Sequence, residues 1–130
     1  MLEPGIRALA EGPNYCIVTS VMADGDVQAQ PLWVDCDETG QHLLINTETG
    51  RQRYRNFSRD THCTVTIIDR HSWQRWAEVR GQVVEMIAGE DARAHIDKLS
   101  EKYTGGPYTK PIATERVILK VRPKRQILRD

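Results

Sequence analysis

The sequence has no net charge, no cysteines at metal-ligand spacing and no apolar run of the length a bilayer requires, and each absence closes a class of function. Lysine plus arginine and aspartate plus glutamate number 18 each, so no global field draws the chain onto nucleic acid or an anionic membrane, and any anion site has to be local. Cys16, Cys36 and Cys63 are odd in number, far apart and free of any CxxC pairing. Neither a disulfide framework nor a zinc site is expected from them, and they read as small buried hydrophobes. His42, His62, His71 and His95 show no H-x-x-H or H-E-x-x-H spacing, which argues against a metal centre and marks each as a surface or helix-face residue. No stretch approaches the ~18 apolar residues of a membrane span, and no basic leader runs into a hydrophobic segment at the start, so a cytoplasmic protein without a membrane partner is expected. No serine sits in a G-x-S-x-G setting and no cysteine has an activating neighbour, so no catalytic nucleophile can be named.

What is present fits one domain over residues 1–130, with 39% hydrophobic and 28% charged residues. The segment 3–11 suits a short amphipathic helix stopped by Gly12-Pro13. Residues 15–21 are rich in β-formers, and Ala23-Asp24-Gly25-Asp26 supplies a hairpin turn into a second strand over 27–36. Pro31 lies inside that second strand and cannot donate to a ladder, which predicts an edge strand or one broken by a bulge. A third strand is predicted over 42–47, a short helix over 50–60, and strands over 64–68 and 76–87, the last with a bend or bulge at Gly81. Ala92, Ile96, Leu99 and Tyr103 set one face of a helix over 88–103, stopped by Gly105-Gly106-Pro107, and a final strand runs over 116–121 to end at Pro123. About six antiparallel strands with a few short helices make an all-β or α+β barrel, because closure removes exposed edges. A parallel doubly wound sheet is disfavoured, since strands and helices do not alternate and no glycine-rich turn follows the first strand.

Arg51, Arg53, Arg55 and Arg59 place four guanidinium groups within nine residues, directly after Gly50. A guanidinium matches phosphate oxygens in bidentate fashion, and free N–H groups at a helix start add donors, so this segment suits a phosphate clamp to which Asn56 adds an amide. The same residues also suit a solvated helix face paired with Glu48 or Asp60. Trp33, Trp73 and Trp76 suit either a ring-stacking wall or ordinary core and interface.

The chain resembles the flavin/deazaflavin oxidoreductase superfamily, the pyridoxamine 5'-phosphate oxidase-like split β-barrels, and in particular their F420-binding branch. The resemblance spans nearly the whole length. It rests on Ala23-Asp24-Gly25, on Gln30-Pro31-Leu32-Trp33-Val34-Asp35, on Asn46-Thr47 followed by Gly50 to Asn56 and Arg59-Asp60, on Val79 to Val83, and on His95 to Leu99 leading to Tyr103-Thr104-Gly105. It implies an antiparallel split β-barrel that forms a homodimer with cofactor sites at the subunit interface. The ring system would lie along Gln30, Pro31 and Trp33 and the end of the third strand at Asn46 and Thr47. The phosphate would meet Gly50, Arg51, Arg53, Arg55 and Asn56, with Trp76 of the other subunit at the border. The implied cofactor is coenzyme F420, with FMN as the alternative, and the implied activity is hydride transfer to a small unsaturated substrate. A haem- or tetrapyrrole-binding barrel and a non-catalytic cofactor-binding module are the other readings. The family most often has lysine where this chain has Arg53.

Overall fold

The computed structural model describes residues 1–130. The first strand, β1 (Tyr15–Val21), alternates as its composition predicts, with Cys16, Val18 and Ser20 buried. The turn after it places Gly25 at φ +92°, a conformation that favours glycine, and Asp24 Oδ1 accepts a hydrogen bond from the Asp26 amide. The chain then returns as β2 (Val27–Pro31), antiparallel to β1.

The predicted second strand is split at Pro31. Beyond Leu32 and Trp33 the chain continues as β3 (Val34–Cys36), which pairs with β4 (Leu43–Glu48) and no longer with β1. The last bond back to β1 runs from the Leu32 amide to the Cys16 carbonyl, at 3.0 Å. Proline sits where the strand changes partners, so its missing N–H interrupts no ladder. With β5 (His62–Ile68), β6 (Trp76–Ala88) and β7 (Arg116–Arg129), the antiparallel order is β2-β1-β5-β6-β7-β4-β3. The two outer strands are consecutive pieces of one run of chain. The sheet therefore closes into the expected split barrel, mostly β with three helices.

The last strand is longer than predicted. It runs through Pro123 to Arg129 because the β6–β7 register shifts between Arg80 and Gly81, and Pro123 lies opposite Gly81 at that bulge. A Cβ on Gly81 would fall 2.1 Å from the Arg122 carbonyl oxygen. The close approach is possible only because glycine has no side chain.

Val18, Val34, Ile45, Val65, Ile67, Val79, Leu119 and Val121 fill the barrel. Ile6, Leu9 and Ala10 of α1 (Pro4–Glu11) and Phe57 of α2 (Gln52–Arg59) join the same core. All three cysteines are buried and free, as their scatter suggested. The third helix, α3 (Glu90–Thr104), carries Glu90 and Asp91 in its first turn and Lys102 in its last, in keeping with the helix dipole. It ends on Gly105 at φ +83°. Its Ala92, Ile96 and Leu99 are buried against the outside of the barrel, and Lys102 donates to the carbonyls of Ala10 and Val34, tying α3 to α1 and β3. No helix is long and apolar enough to cross a membrane.

Gly81→Ala is expected to lower unfolding stability by about 2–3 kcal/mol, since backbone has to move to admit the methyl group. Gly106→Ala, whose added methyl would meet nothing within 4 Å, is expected to stay within about 0.5 kcal/mol. Thermal or denaturant unfolding of the two variants checks the contrast.

Candidate functional site

A cleft of about 750 Å3 opens where the barrel wall changes partners. Pro31, Leu32 and Trp33 form the crossing itself. Residues Asn14 to Ile17 bound it on one side, Asn46 and Thr47 of β4 and Arg116 of β7 on another, and Arg51 and Arg53 stand at the start of α2. Ile96, Leu99 and Tyr103 of α3 and Tyr108 and Lys110 of the following loop complete it.

One part of the wall is aromatic. The Trp33 and Tyr103 rings stack at 5.3 Å and 7°, and Tyr108 meets Trp33 edge-on at 6.2 Å and 88°. The Tyr103 hydroxyl donates to the Asn14 carbonyl at 2.8 Å and accepts from the Val34 amide at 3.2 Å. Burial pushes that hydroxyl up to about 12, so it remains a protonated brace between the residue preceding β1 and the start of β3.

The other part is cationic. Arg53 is half-buried; its Nε donates to Gln30 Oε1 at 2.9 Å and its Nη1 to Thr47 Oγ1 at 2.8 Å. Both partners are neutral acceptors, so they aim the guanidinium without cancelling its charge. Burial lowers the pKa of Arg53, and the nearby charges of Arg51 and Arg116 lower it further. Arg51 is the N-cap of α2 and has no side-chain hydrogen bond there, and the first turn holds no acidic residue. Tyr54 and Arg55 direct their amides to the Arg51 carbonyl, leaving those of Gln52 and Arg53 as free donors at the helix start. Arg116 lies under the Tyr108 ring at 5.4 Å and pairs with buried Glu48 at 3.4 Å. The Glu48 carboxyl is held below its usual range by the Thr114 amide above all. Three guanidinium groups thus share one end of the cleft with one carboxylate.

Behind the cleft the polar groups continue inward as a chain. Arg116 Nε donates to Asn46 Oδ1 at 2.8 Å, Asn46 Nδ2 lies 3.1 Å from His95 Nδ1 and 3.0 Å from the Ala92 carbonyl, and His95 Nε2 lies 3.3 Å from Asp35 Oδ2. Burial alone would raise the Asp35 carboxyl. The His95 and Cys36 hydrogen bonds and the charges of Lys102 and Lys98 outweigh it and bring the carboxyl down to about 2.

Of the residues singled out from sequence, the fold gathers Pro31, Trp33, Asn46, Thr47, Arg51 and Arg53 into the cleft wall, with Gln30 immediately behind Arg53. Four others lie elsewhere. Arg55 is exposed and bonds the Gly50 carbonyl and Gln52, because helical spacing puts it on the face opposite Arg53. Asn56 shares the inward face but lies deeper, fully buried, where it donates to Ser20 and Gln28 and accepts from Gln52. Gly50 holds the turn before α2 by donating to Thr114 Oγ1. Trp76 begins β6 opposite Arg129 and does not line the cleft. His95, expected on a surface or helix face, is buried in the Asp35 pair. Arg116 and Tyr103 were not singled out as binding residues; the signal available for Arg116 was the polar run Asn46-Thr47-Glu48 ending an apolar strand, which requires buried partners.

A family model described as pyridoxamine 5'-phosphate oxidase matches residues 2–129. Among solved structures the chain is similar to one named F420 reductase, at 33% identity over 97% of this chain and 98% of that one, with a TM-score of 0.83. It is also similar in fold to a conserved hypothetical protein of Mycobacterium tuberculosis (19% identity, 100% and 85% covered, TM-score 0.78) and to HupZ of Group A Streptococcus (17%, 98% and 94%, 0.67). No curated protein matches.

The Asp35 carboxyl sits at about 2 in the fold against 3.8 for the free side chain, so its stabilisation is complete above pH 3.8 and is lost as pH falls through about 2. Asp35→Asn is therefore expected to be less stable than the parent at neutral pH, with the gap narrowing below pH 3.8. Denaturant titrations across that acid range give the measurement.

Proposed function

The chain belongs to the pyridoxamine 5'-phosphate oxidase family, and from that premise we propose that it is an F420-dependent oxidoreductase, acting as a reductase of a small unsaturated substrate. The observation that carries the reading is the pairing of a flat aromatic wall with a converging cationic end in a chain of zero net charge. Like charges gathered in a partly buried site oppose one another, and an anionic ligand relieves that repulsion. A phosphate-bearing tricyclic cofactor has both halves of the matching chemistry.

The residues fit such a group on structural grounds. Arg51, Arg53 and the free amides of Gln52 and Arg53 would hold the phosphate, as uncapped helix starts hold anions. Gln30 and Thr47 keep Arg53 aimed; Pro31, Leu32 and Trp33 back the ring system, and Tyr103 and Tyr108 exclude water from its surroundings. When bound, a deazaflavin supplies hydride transfer, which accounts for a protein whose residues provide binding, orientation and shielding but no nucleophile. Burial holds the thiol of Cys16, the cysteine that lines the cleft, protonated and unreactive. The working unit in this proposal is a homodimer, with Trp76 of the partner subunit bordering each cleft. Exposed Tyr15, Val27 and Trp73 are large apolar groups available to that contact.

Parallel titrations of the purified protein with F420, FMN and haem test the assignment. Saturable F420 binding tighter than that of FMN is expected; tighter FMN binding would move the cofactor to FMN, and a haem Soret shift at stoichiometric amounts would replace both. Arg53→Glu is expected to weaken F420 binding by roughly 100-fold, about 3 kcal/mol, because it turns a charge-assisted contact into repulsion. Light scattering should report a dimer, and a monomer at high concentration would remove the shared site.

A further inference from the structure

The buried polar chain behind the cleft can be wired in only one direction. Arg116 Nε carries a proton and cannot accept, so the atom of Asn46 facing it at 2.8 Å has to be the carbonyl oxygen. The amide nitrogen of Asn46 then faces the Ala92 carbonyl and His95 Nδ1, and its two hydrogens serve those two acceptors. His95 Nδ1 must be unprotonated to accept, which leaves the ring proton on Nε2, directed at Asp35 Oδ2. Every group along this path has its donor or acceptor role set by the one before it.

We propose that His95, which does not line the cleft, is a positioning residue that fixes the aim of Arg116 through the Asn46 amide, and that the link holds only while His95 is neutral. A proton on Nδ1 would set an N–H against the Asn46 N–H. Turning the amide over to accept that proton would set its NH2 against Arg116 Nε. Left in place, the amide loses His95 and with it the contact that fixes its orientation; once turned, it leaves Arg116 only the longer Glu48 pair and the Tyr108 ring.

The groups facing His95 have different roles in this. From β3, Asp35 favours the imidazolium, and from β4 the Asn46 donor opposes it. On its own helix Lys98 shares the Asp35 Oδ2 atom at 3.3 Å and draws off part of the carboxylate, and Lys102 acts on the same carboxylate through its charge. From β7, Arg116 reaches His95 only through Asn46. Protonation thus adds positive charge near the cleft yet is expected to weaken anion binding, the reverse of the simple electrostatic effect.

Nitrogen-15 NMR of the full chain without ligand tests the link independently of the proposed function, on which only the ligand arm rests. At about pH 7.5 the expected result is the Nε2–H tautomer of His95 and a slowly exchanging Arg116 Nε–H signal that loses protection as His95 titrates. An Nδ1–H tautomer or an imidazolium at that pH would overturn the proposal, as would Arg116 protection indifferent to His95. Asn46→Asp replaces the amide donor by an acceptor, so His95 should become an imidazolium while Arg116 stays protected at every pH. His95→Gln has no titration and should flatten the pH dependence of Arg116 exchange. If either variant fails to fold, the parent spectra alone decide. In the ligand arm, F420 or FMN affinity in the parent should be about tenfold lower under the conditions where NMR shows His95 as an imidazolium than where it shows the neutral ring, and the same comparison should give a smaller difference in His95→Gln; if neither ligand binds while the NMR result holds, the functional reading fails and the link stands.

Discussion

The run from Val27 to Cys36 belongs to both edges of the sheet, and that constraint organises everything else. Its first half is bonded to β1 and its second to β4, so the barrel closes through covalent chain at the place where hydrogen bonds between strands give out. Leu32 and Trp33 bridge the gap with backbone that serves no second ladder. A gap of this kind in a barrel wall has to be filled by side chains or by a ligand. Trp33 fills part of it, braced by Tyr103, and the cleft is the remainder.

The charge arrangement follows from where that gap lies. The end of β4, the start of β7 and the start of α2 meet beside it, each bringing an arginine or an arginine's partner. Neutral acceptors orient Arg53, and a single buried carboxylate, Glu48, attends Arg116. The excess positive charge is local, because the molecule as a whole is balanced. Such a site is electrostatically incomplete in isolation and is complementary to a ligand that is anionic at one end and flat at the other. Behind it, α3 lays a buried imidazole against a carboxylate and joins both to Arg116 through one amide. The fold in this way couples the outer face of the barrel to the interior of the cleft.

Local signals carried much of this molecule. Alternation in β1, the Asp-Gly turn, the spacing of Ala92, Ile96 and Leu99 and the glycine after α3 are properties of short windows, and each led to the element found. Pro31 announced an edge strand, because it lacks an N–H, and Gly81 a bulge, because it lacks a Cβ. Pro123 misled, because a proline ends a strand only where its partner strand keeps register, and the partner here is Gly81, forty-two positions away in sequence.

The sequence by itself determined where most strands and helices lie and the presence of a guanidinium-rich turn, since these depend on spacing within a few residues, and it pointed to a closed antiparallel fold. Only the tertiary structure decided which guanidiniums face the cleft, that Arg55 and Asn56 do not, that Arg116 does, and that His95 is interior. Those outcomes depend on strands distant in the chain coming into register. A side chain's partners across a barrel are set by that register and by the helical phase of α2 and α3, and neither can be read from the residues on either side of it.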